Sequence, residues 1–246
     1  MPRAAFGDDR IFFKMNKLKM NKLNHIAFIM DGNRRWARAR MLPLVMGHHK
    51  GAERIEPLVA YAAKRGIRYV TFWAFSSENW QRGEKEVGFI MRVARDFIKS
   101  SAIGRMMEKG VQVKVIGDFE AFPKDIVIGL KEIVEKSKNN KVITVIFALN
   151  YGGRAEILRA VNRIVTFQKT QVITEEAFAS CLYTKDLPDP DLVVRTGGEQ
   201  RLSGFLSWQS IYSELYFTQT LWPDFGEEAF EMALEEFARR IRKFGK

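Results

Sequence analysis

The chain has 246 residues, 46% of them hydrophobic and 28% charged, with a net charge of +11. This argues against disorder and leaves length for one well-cored domain. The single cysteine, Cys181, excludes an intrachain disulfide and, with only three histidines, argues against a structural zinc site. The charge calls for an anionic partner: nucleic acid, an acidic membrane surface or phosphorylated small molecules.

Met1–Asn24 comes first. It is basic and mixed, with Lys14, Lys17, Lys19 and Lys22, and lacks the apolar core of a secretory signal. It is expected to be a flexible leader, with a weak membrane-surface contact as its sharper reading. His25–Met30 is a short apolar run ended by Asp31-Gly32-Asn33, which reads as strand, loop, then helix from about Arg34. Glu53–Lys64 follows as a helix stopped by Gly66, then Tyr69–Phe75 as a buried strand. Glu84–Met107 is expected to be one long helix with a broad apolar face. Val111–Ile116 reads as a strand, Asp125–Lys138 as a helix and Val142–Leu149 as a fully apolar strand. Arg154–Phe167 and Glu175–Tyr183 are expected helices, and Asp191–Val194 a strand. A short strand near Glu214–Phe217 and a basic helix from about Glu227 to Arg242 complete the chain. No apolar run reaches the roughly 18 residues of a membrane span. Residues 25–246 are expected to form a single α/β domain, with a central, mostly parallel sheet of about six strands flanked by helices.

In such sheets ligands sit beyond the carboxyl ends of the strands. Those ends read Asp31-Gly32-Asn33-Arg34-Arg35-Trp36, then Ser76-Ser77-Glu78-Asn79-Trp80-Gln81-Arg82, Gly117-Asp118, Asn150-Tyr151-Gly152-Gly153-Arg154, and Arg195 through Arg201-Leu202-Ser203. Singly, Asp-Gly-Asn is a turn and an arginine is a solvated surface group. At one sheet edge, arginines, glycines and free helix-start N–H groups make a site for phosphate oxyanions. Asp31 is placed to hold a hard cation; magnesium prefers one or two carboxylates plus substrate phosphates. The chain has no Gly-x-x-x-x-Gly-Lys-Ser/Thr run, no Gly-x-Gly-x-x-Gly run, no Gly-x-Ser-x-Gly elbow and no Asp-Asp-x-x-Asp run. Common nucleoside-triphosphate, dinucleotide and serine-hydrolase sites are therefore not supported.

These residues carry a resemblance. His25 through Ala37, with Gly47-His48 and Gly51, resembles the first signature of the cis-prenyltransferase family, whose bacterial type is undecaprenyl diphosphate synthase. Phe75–Arg82 is similar to the second and Leu149–Arg154 to the third. Asp189–Ser203 with Trp208, Gln209, Tyr212, Glu214 and Trp222–Phe225 is similar to the last. The resemblance implies that family's fold. It also implies sequential condensation of isopentenyl diphosphate with an allylic diphosphate, typically farnesyl diphosphate, to a long cis-polyprenyl diphosphate such as the undecaprenyl cell-wall carrier. A short-chain enzyme with another allylic substrate is the alternative.

By the same resemblance, Asp31 binds Mg2+ and is the key catalytic acid, and Asn79 is the candidate proton acceptor. An amide is a poor base, so Asn79 is equally a positioning group. Gly32, Asn33, Arg34, Arg35, Trp36 and His48 would hold the allylic diphosphate. Arg195, Arg201, Leu202 and Ser203 would hold isopentenyl diphosphate. Ser76, Ser77, Glu78, Trp80 and Arg82 form the loop that closes over substrate. Glu214 is the second metal carboxylate, supplied across a homodimer interface. The long helix Glu84–Met107 would line a tunnel for the product. The resemblance places the enzyme in the cytoplasm, with a peripheral contact at the inner face of the membrane. Leu44 stands where the family has an arginine, so one diphosphate contact is either missing or replaced by Arg38, Arg40 or Lys50; Gly83 stands where proline is common and Gly204 where asparagine is common. A non-catalytic partner subunit would have lost the Asp31 signature. An RNA-binding module would interleave basic residues with stacking aromatics on an exposed face; here the arginines cluster at strand ends, and no nucleic-acid partner is expected.

Overall fold

Parallel strands covered on both faces need apolar residues on both faces, and the strand runs here supply them. In the computed structural model, which describes residues 23–167 and 172–240, six strands form one sheet: β1 (His25–Ile29), β2 (Tyr69–Ser76), β3 (Val111–Ile116), β4 (Ile143–Tyr151), β5 (Leu192–Arg195) and β6 (Glu214–Phe217). Their order is β3-β4-β2-β1-β5-β6, and every pair is parallel. The expected α/β class holds, and the sheet is wholly rather than mostly parallel. Alternate residues face two cores. Ile26, Phe28, Phe72, Val145 and Val194 join the larger one, and Ala27, Ile29, Ile146 and Val193 the smaller. The chain leaves β1 toward β2 and leaves β5 in the opposite direction, toward β6. The crevice beyond these two strands is thus the sheet's topological switch point, where a ligand is expected.

The helices are α1 (Asn33–Ala39), α2 (Leu44–Glu53), α3 (Ile55–Lys64), α4 (Glu84–Lys99), α5 (Ser101–Glu108), α6 (Lys124–Ser137), α7 (Gly153–Phe167), α8 (Glu175–Ala179) and α9 (Glu227–Arg239). Three differ from expectation. α2 fills a stretch without an expected helix until Glu53. Its two glycines and two histidines are poor helix formers, and packing against α1 overrides that propensity. The expected long helix breaks at Ser100, which is extended (φ −71°, ψ 152°) and whose hydroxyl donates to the Phe97 carbonyl at 2.7 Å. A serine bonding back to the preceding turn competes with helix continuation. The helix expected over Glu175–Tyr183 ends at Ala179 and gives way to turns.

Residues 1–22 of the expected leader, and the last residues of the expected C-terminal helix, lie outside the described residues. Leu23 is already buried, and the Asn24 carbonyl accepts from the N–H groups of Arg68 and Tyr69. Among the described residues no helix is long and apolar enough to cross a membrane.

His25 opens β1 and is 3% exposed. Its Nδ1–H donates to the Pro188 carbonyl at 2.7 Å, and the Thr71 hydroxyl lies 2.8 Å from Nε2, which it can serve as donor. Burial lowers its pKa to about 4 against an ordinary 6.5. The unfolded chain binds the proton near pH 6.5 and the folded chain does not. Stability is therefore complete above pH 6.5 and falls as pH drops toward 4. A loss of about 2 kcal/mol from His25 is expected between neutral pH and pH 5. Urea denaturation at the two pH values checks it: a His25→Gln variant should lose about that much less stability than the wild type over the same interval.

Candidate active site

The site grows from the turn after β1. Gly32 has φ +114°, and a Cβ there would lie 2.9 Å from the Leu221 side chain. The residue must therefore be glycine both for its backbone angle and for the close approach. The Trp222 N–H donates to the Asp31 carbonyl at 3.0 Å, fixing the turn from below. α2 is brought against this turn by two glycines one helical turn apart. A Cβ on Gly47 would lie 2.1 Å from the Asn33 carbonyl oxygen, and one on Gly51 would lie 2.4 Å from Asn33 Oδ1. This backbone-close packing carries His48 to the edge of the turn.

Asp31 and Arg195 end adjacent strands across the switch point, and they meet. Arg195 donates to Asp31 Oδ2 at 2.9 Å, while Arg35 reaches Asp31 Oδ1 at 3.1 Å from one turn along α1. Arg195 is itself buried, and it also donates to the Ser203 hydroxyl oxygen at 2.8 Å and to the Arg201 carbonyl at 2.6 Å. Ser203 is held at φ +52°, a strained angle for a non-glycine and of a kind that clusters at functional sites. Arg34 and Arg82 converge on Glu86, at 3.5 and 2.8 Å.

Around this constellation lies a polar cavity lined by Asp31, Gly32, Asn33, Arg34, Arg35, Arg38, His48, Ser76, Asn79, Arg82, Arg195 and Ser203. Asp31 is the only carboxylate among its lining residues. Three buried polar atoms of residues that line this cavity have no protein partner: Asn33 Oδ1, His48 Nε2 and Arg195 Nε. Buried polar groups are normally satisfied, and orphans at one place mark a site awaiting a polar ligand. Burial first, then the Arg82 guanidinium, lower His48 to about 4, so its imidazole is neutral at neutral pH. Asn79 Oδ1 accepts from the Ser76 N–H at 3.1 Å. That bond fixes the amide's orientation, so Asn79 offers its NH2 group, a donor. This argues for positioning an anion rather than accepting a proton.

Several expected site residues lie off the cavity. Trp36 donates to Asp224 at 2.7 Å and lies under the Arg40 guanidinium. Trp80 donates to Asn150 Oδ1 at 2.8 Å. Ser77 packs at Gly152, and Glu78 is exposed. The Arg201 guanidinium is ion-paired to Glu199, and Leu202 packs on the smaller core. Glu214 sits at the start of β6, the strand end opposite to the cavity, where Arg240 donates to it at 2.9 Å. Within one chain it does not meet Asp31. Of the three residues that could replace the arginine missing at Leu44, only Arg38 lines the cavity, and Glu86 was not anticipated as a site residue. Arg38 follows Arg34 by one turn of α1, which brings it to the same cavity.

A second cavity borders the first. Its volume is about 130 Å³. Its walls are apolar, among them Ala94, Phe97, Ile98, Ile103, Leu130 and Ile133 from α4, α5 and α6. Met30, Asn33, His48, Ala74 and Ile90 line both cavities. An arginine-rich cavity and an apolar one thus share part of their lining.

Residues 29–245 match the family model described as "Putative undecaprenyl diphosphate synthase". The chain is 47% identical over 222 residues to an isoprenyl transferase of Aquifex pyrophilus, covering 90% of this chain and 95% of that protein. The chain belongs to the cis-prenyltransferase family. As a cis-prenyltransferase it is also 44% identical to an isoprenyl transferase of Neisseria gonorrhoeae, over 90% of this chain and 89% of the other. Among solved structures it resembles lavandulyl diphosphate synthase from Lavandula x intermedia in complex with dimethylallyl diphosphate. The TM-score is 0.88 and the identity 35%, over 91% of this chain and 98% of that one. It also resembles a "probable undecaprenyl diphosphate synthase" from Campylobacter jejuni, with TM-score 0.77 and 32% identity, over 92% and 100% of the two chains. This prenyltransferase shares with them the single α/β domain just described.

Proposed function

We propose that this transferase condenses isopentenyl diphosphate repeatedly with an allylic diphosphate, farnesyl diphosphate being the expected starter, to give a long cis-polyprenyl diphosphate. The product is the undecaprenyl carrier for cell-wall synthesis. The arginine-lined cavity and the apolar one that borders it carry this reading. One compartment suits a diphosphate and the other a growing hydrocarbon. In each cycle the allylic C–O bond breaks, a carbon–carbon bond forms to isopentenyl diphosphate, and that substrate loses a proton. Diphosphate leaves with the C–O electron pair.

Gly32, Asn33, Arg34, Arg35 and His48 bind the allylic diphosphate at the start of α1. Arg195 and Ser203 bind isopentenyl diphosphate, with Arg201 and Leu202 completing the loop. Ser76, Asn79 and Arg82 bind leaving-group oxygens, and the segment carrying Ser77, Glu78 and Trp80 closes above them. Trp36 supports α1 from outside. The fixed arginines stabilise charge that grows on the departing diphosphate. Asp31 would hold a magnesium ion, which supplies further charge neutralisation at the phosphates. A lone carboxylate fits that ion, because magnesium keeps several waters and takes substrate oxygens. Glu214 acts from a second copy of the chain in a homodimer, a role supported by the exposed Ile211 and Tyr212 beside the edge strand β6. The enzyme works in the cytoplasm at the inner face of the membrane, with residues 25–246 as the catalytic unit.

Arg38 adds to the allylic site. The other four cavity arginines each contact Asp31 or Glu86, whereas Arg38 has no carboxylate partner among the described residues. Of the basic residues near Leu44, Arg40 is paired with Asp224 and Lys50 with Glu53. Arg38→Ala is expected to raise KM for the allylic diphosphate about tenfold, with a smaller change in kcat. Steady-state kinetics with each substrate varied in turn check it. A second reading, a short-chain product, is favoured by the likeness to a synthase solved with a five-carbon allylic diphosphate. Mass analysis of products made from farnesyl and geranyl diphosphates separates the two.

A further inference from the structure

The end of β4 is irregular. Phe75 pairs with Leu149 and the next residue, Ser76, with Tyr151, so Asn150 is an extra residue that bulges from the strand. Its φ is +47°, in the left-handed region. Bulges beside active sites re-aim side chains, and this one aims an amide. Asn150 Nδ2 donates to the Asp118 carbonyl at 2.9 Å, and the Asn150 carbonyl accepts from the Asp118 N–H at 3.3 Å. These two bonds fix the amide with its oxygen turned to Trp80, whose indole N–H donates to Oδ1 at 2.8 Å. The Trp80 ring lies edge-on to Phe75 and Phe122, at 5.0 and 5.6 Å between centroids. Two residues after Asn150, Gly152 leaves room for Ser77: a Cβ on Gly152 would lie 2.4 Å from the Ser77 hydroxyl oxygen. The short 3-10 helix Ser77–Gln81 thus sits on the end of β4. Neither Asn150 nor Trp80 lines either cavity.

We propose that Asn150 is a positioning residue, whose amide latches the segment Ser77–Arg82 to the end of β4 and so holds Asn79 and Arg82 at the polar cavity. Asn79 and Trp80 are adjacent, so the indole bond fixes the backbone from which Asn79 projects. Trp80 is 37% exposed, and no residue of Ser77–Gln81 is buried. A segment with so little buried surface opens readily, and a single bond then shifts its population strongly. Asparagine tolerates a left-handed angle better than most residues, which alone would explain one at a bulge. It does not explain an amide committed at both ends, to Asp118 and to Trp80. The consequence for turnover rests on the reaction proposed above, in which Asn79 and Arg82 bind leaving-group oxygens; the latch itself does not.

Asn150→Gly, made in the full chain, separates the two roles. Glycine adopts the left-handed angle freely but carries no amide. The variant should unfold at about the wild-type temperature, whereas kcat should fall about tenfold with both KM values little changed. Trp80→Phe keeps a ring against Phe75 and Phe122 but has no N–H. It should show the same loss, and the double variant no more than either, because both remove one bond. Amide hydrogen exchange followed by mass spectrometry should be faster over residues 77–82 in each variant and unchanged in β1 and β2. Asn150→Gly with wild-type kcat and wild-type exchange would overturn the proposal, since asparagine would then serve the backbone angle alone. So would losses that add in the double variant, because the two side chains would then act separately. A wild type that transfers no prenyl group would sink the proposed function, and exchange over residues 77–82 would still decide the latch.

Discussion

Asp31→Ala is expected to lower turnover by roughly 10²- to 10³-fold, the scale of losing one preorganised electrostatic contact at a reacting centre. The carboxylate orients Arg35 with one oxygen and Arg195 with the other. Its removal leaves Arg195, 7% exposed at its side chain, without a counter-charge. A stability loss of roughly 1–3 kcal/mol is expected, small enough for the fold to persist. Asp31→Asn keeps the shape and separates the effects: it should recover stability more than turnover. Chelating divalent cations should abolish wild-type turnover. The residual turnover of the alanine variant should respond far less. Full wild-type activity without divalent metal would remove the metal from the mechanism.

The second large effect concerns product length. Ala94 on α4 faces the apolar cavity and not the polar one. Ala94→Phe places a ring in the path assigned to the growing chain. Products should shorten, while the rate of the first condensation changes little, because the arginine-lined cavity is untouched. The complementary change, Leu130→Ala on α6, enlarges the same space and should lengthen products, at a cost of roughly 2–5 kcal/mol in stability. Chromatography with mass analysis of the extracted products reads both. Unchanged lengths in both variants would mean that the chain grows elsewhere.

How far the sequence could be read depended on the kind of contact. The strands were legible because their apolar runs serve local burial: His25–Ile29 and Leu192–Arg195 lie within a residue of expectation. α2 was not legible, because it exists through close contact between Gly47, Gly51 and Asn33, and two glycines in ten residues argue against a helix. The break at Ser100 turned on one hydroxyl. At the site, the residues following β1, β2 and β5 were brought to one cavity as the strand-end rule requires. The rule cannot say which way a side chain turns along a loop. Trp36 and Trp80 therefore point to Asp224 and Asn150, and Arg201 contributes its carbonyl to Arg195. Glu86 was illegible for the opposite reason. It belongs to a helix that reads as apolar lining, and only the fold sets it between Arg34 and Arg82.

The residues that the two cavities share carry a consequence for how such an enzyme can diversify. Asn33 and His48 border both cavities, so a substitution at either is expected to alter the two together. Ala94, Leu130 and Ile133 touch the apolar cavity alone. Lineages that drift toward new product lengths should accumulate changes at the second set and keep the first fixed. A randomised library sorted by product length, with turnover retained, should show the same division.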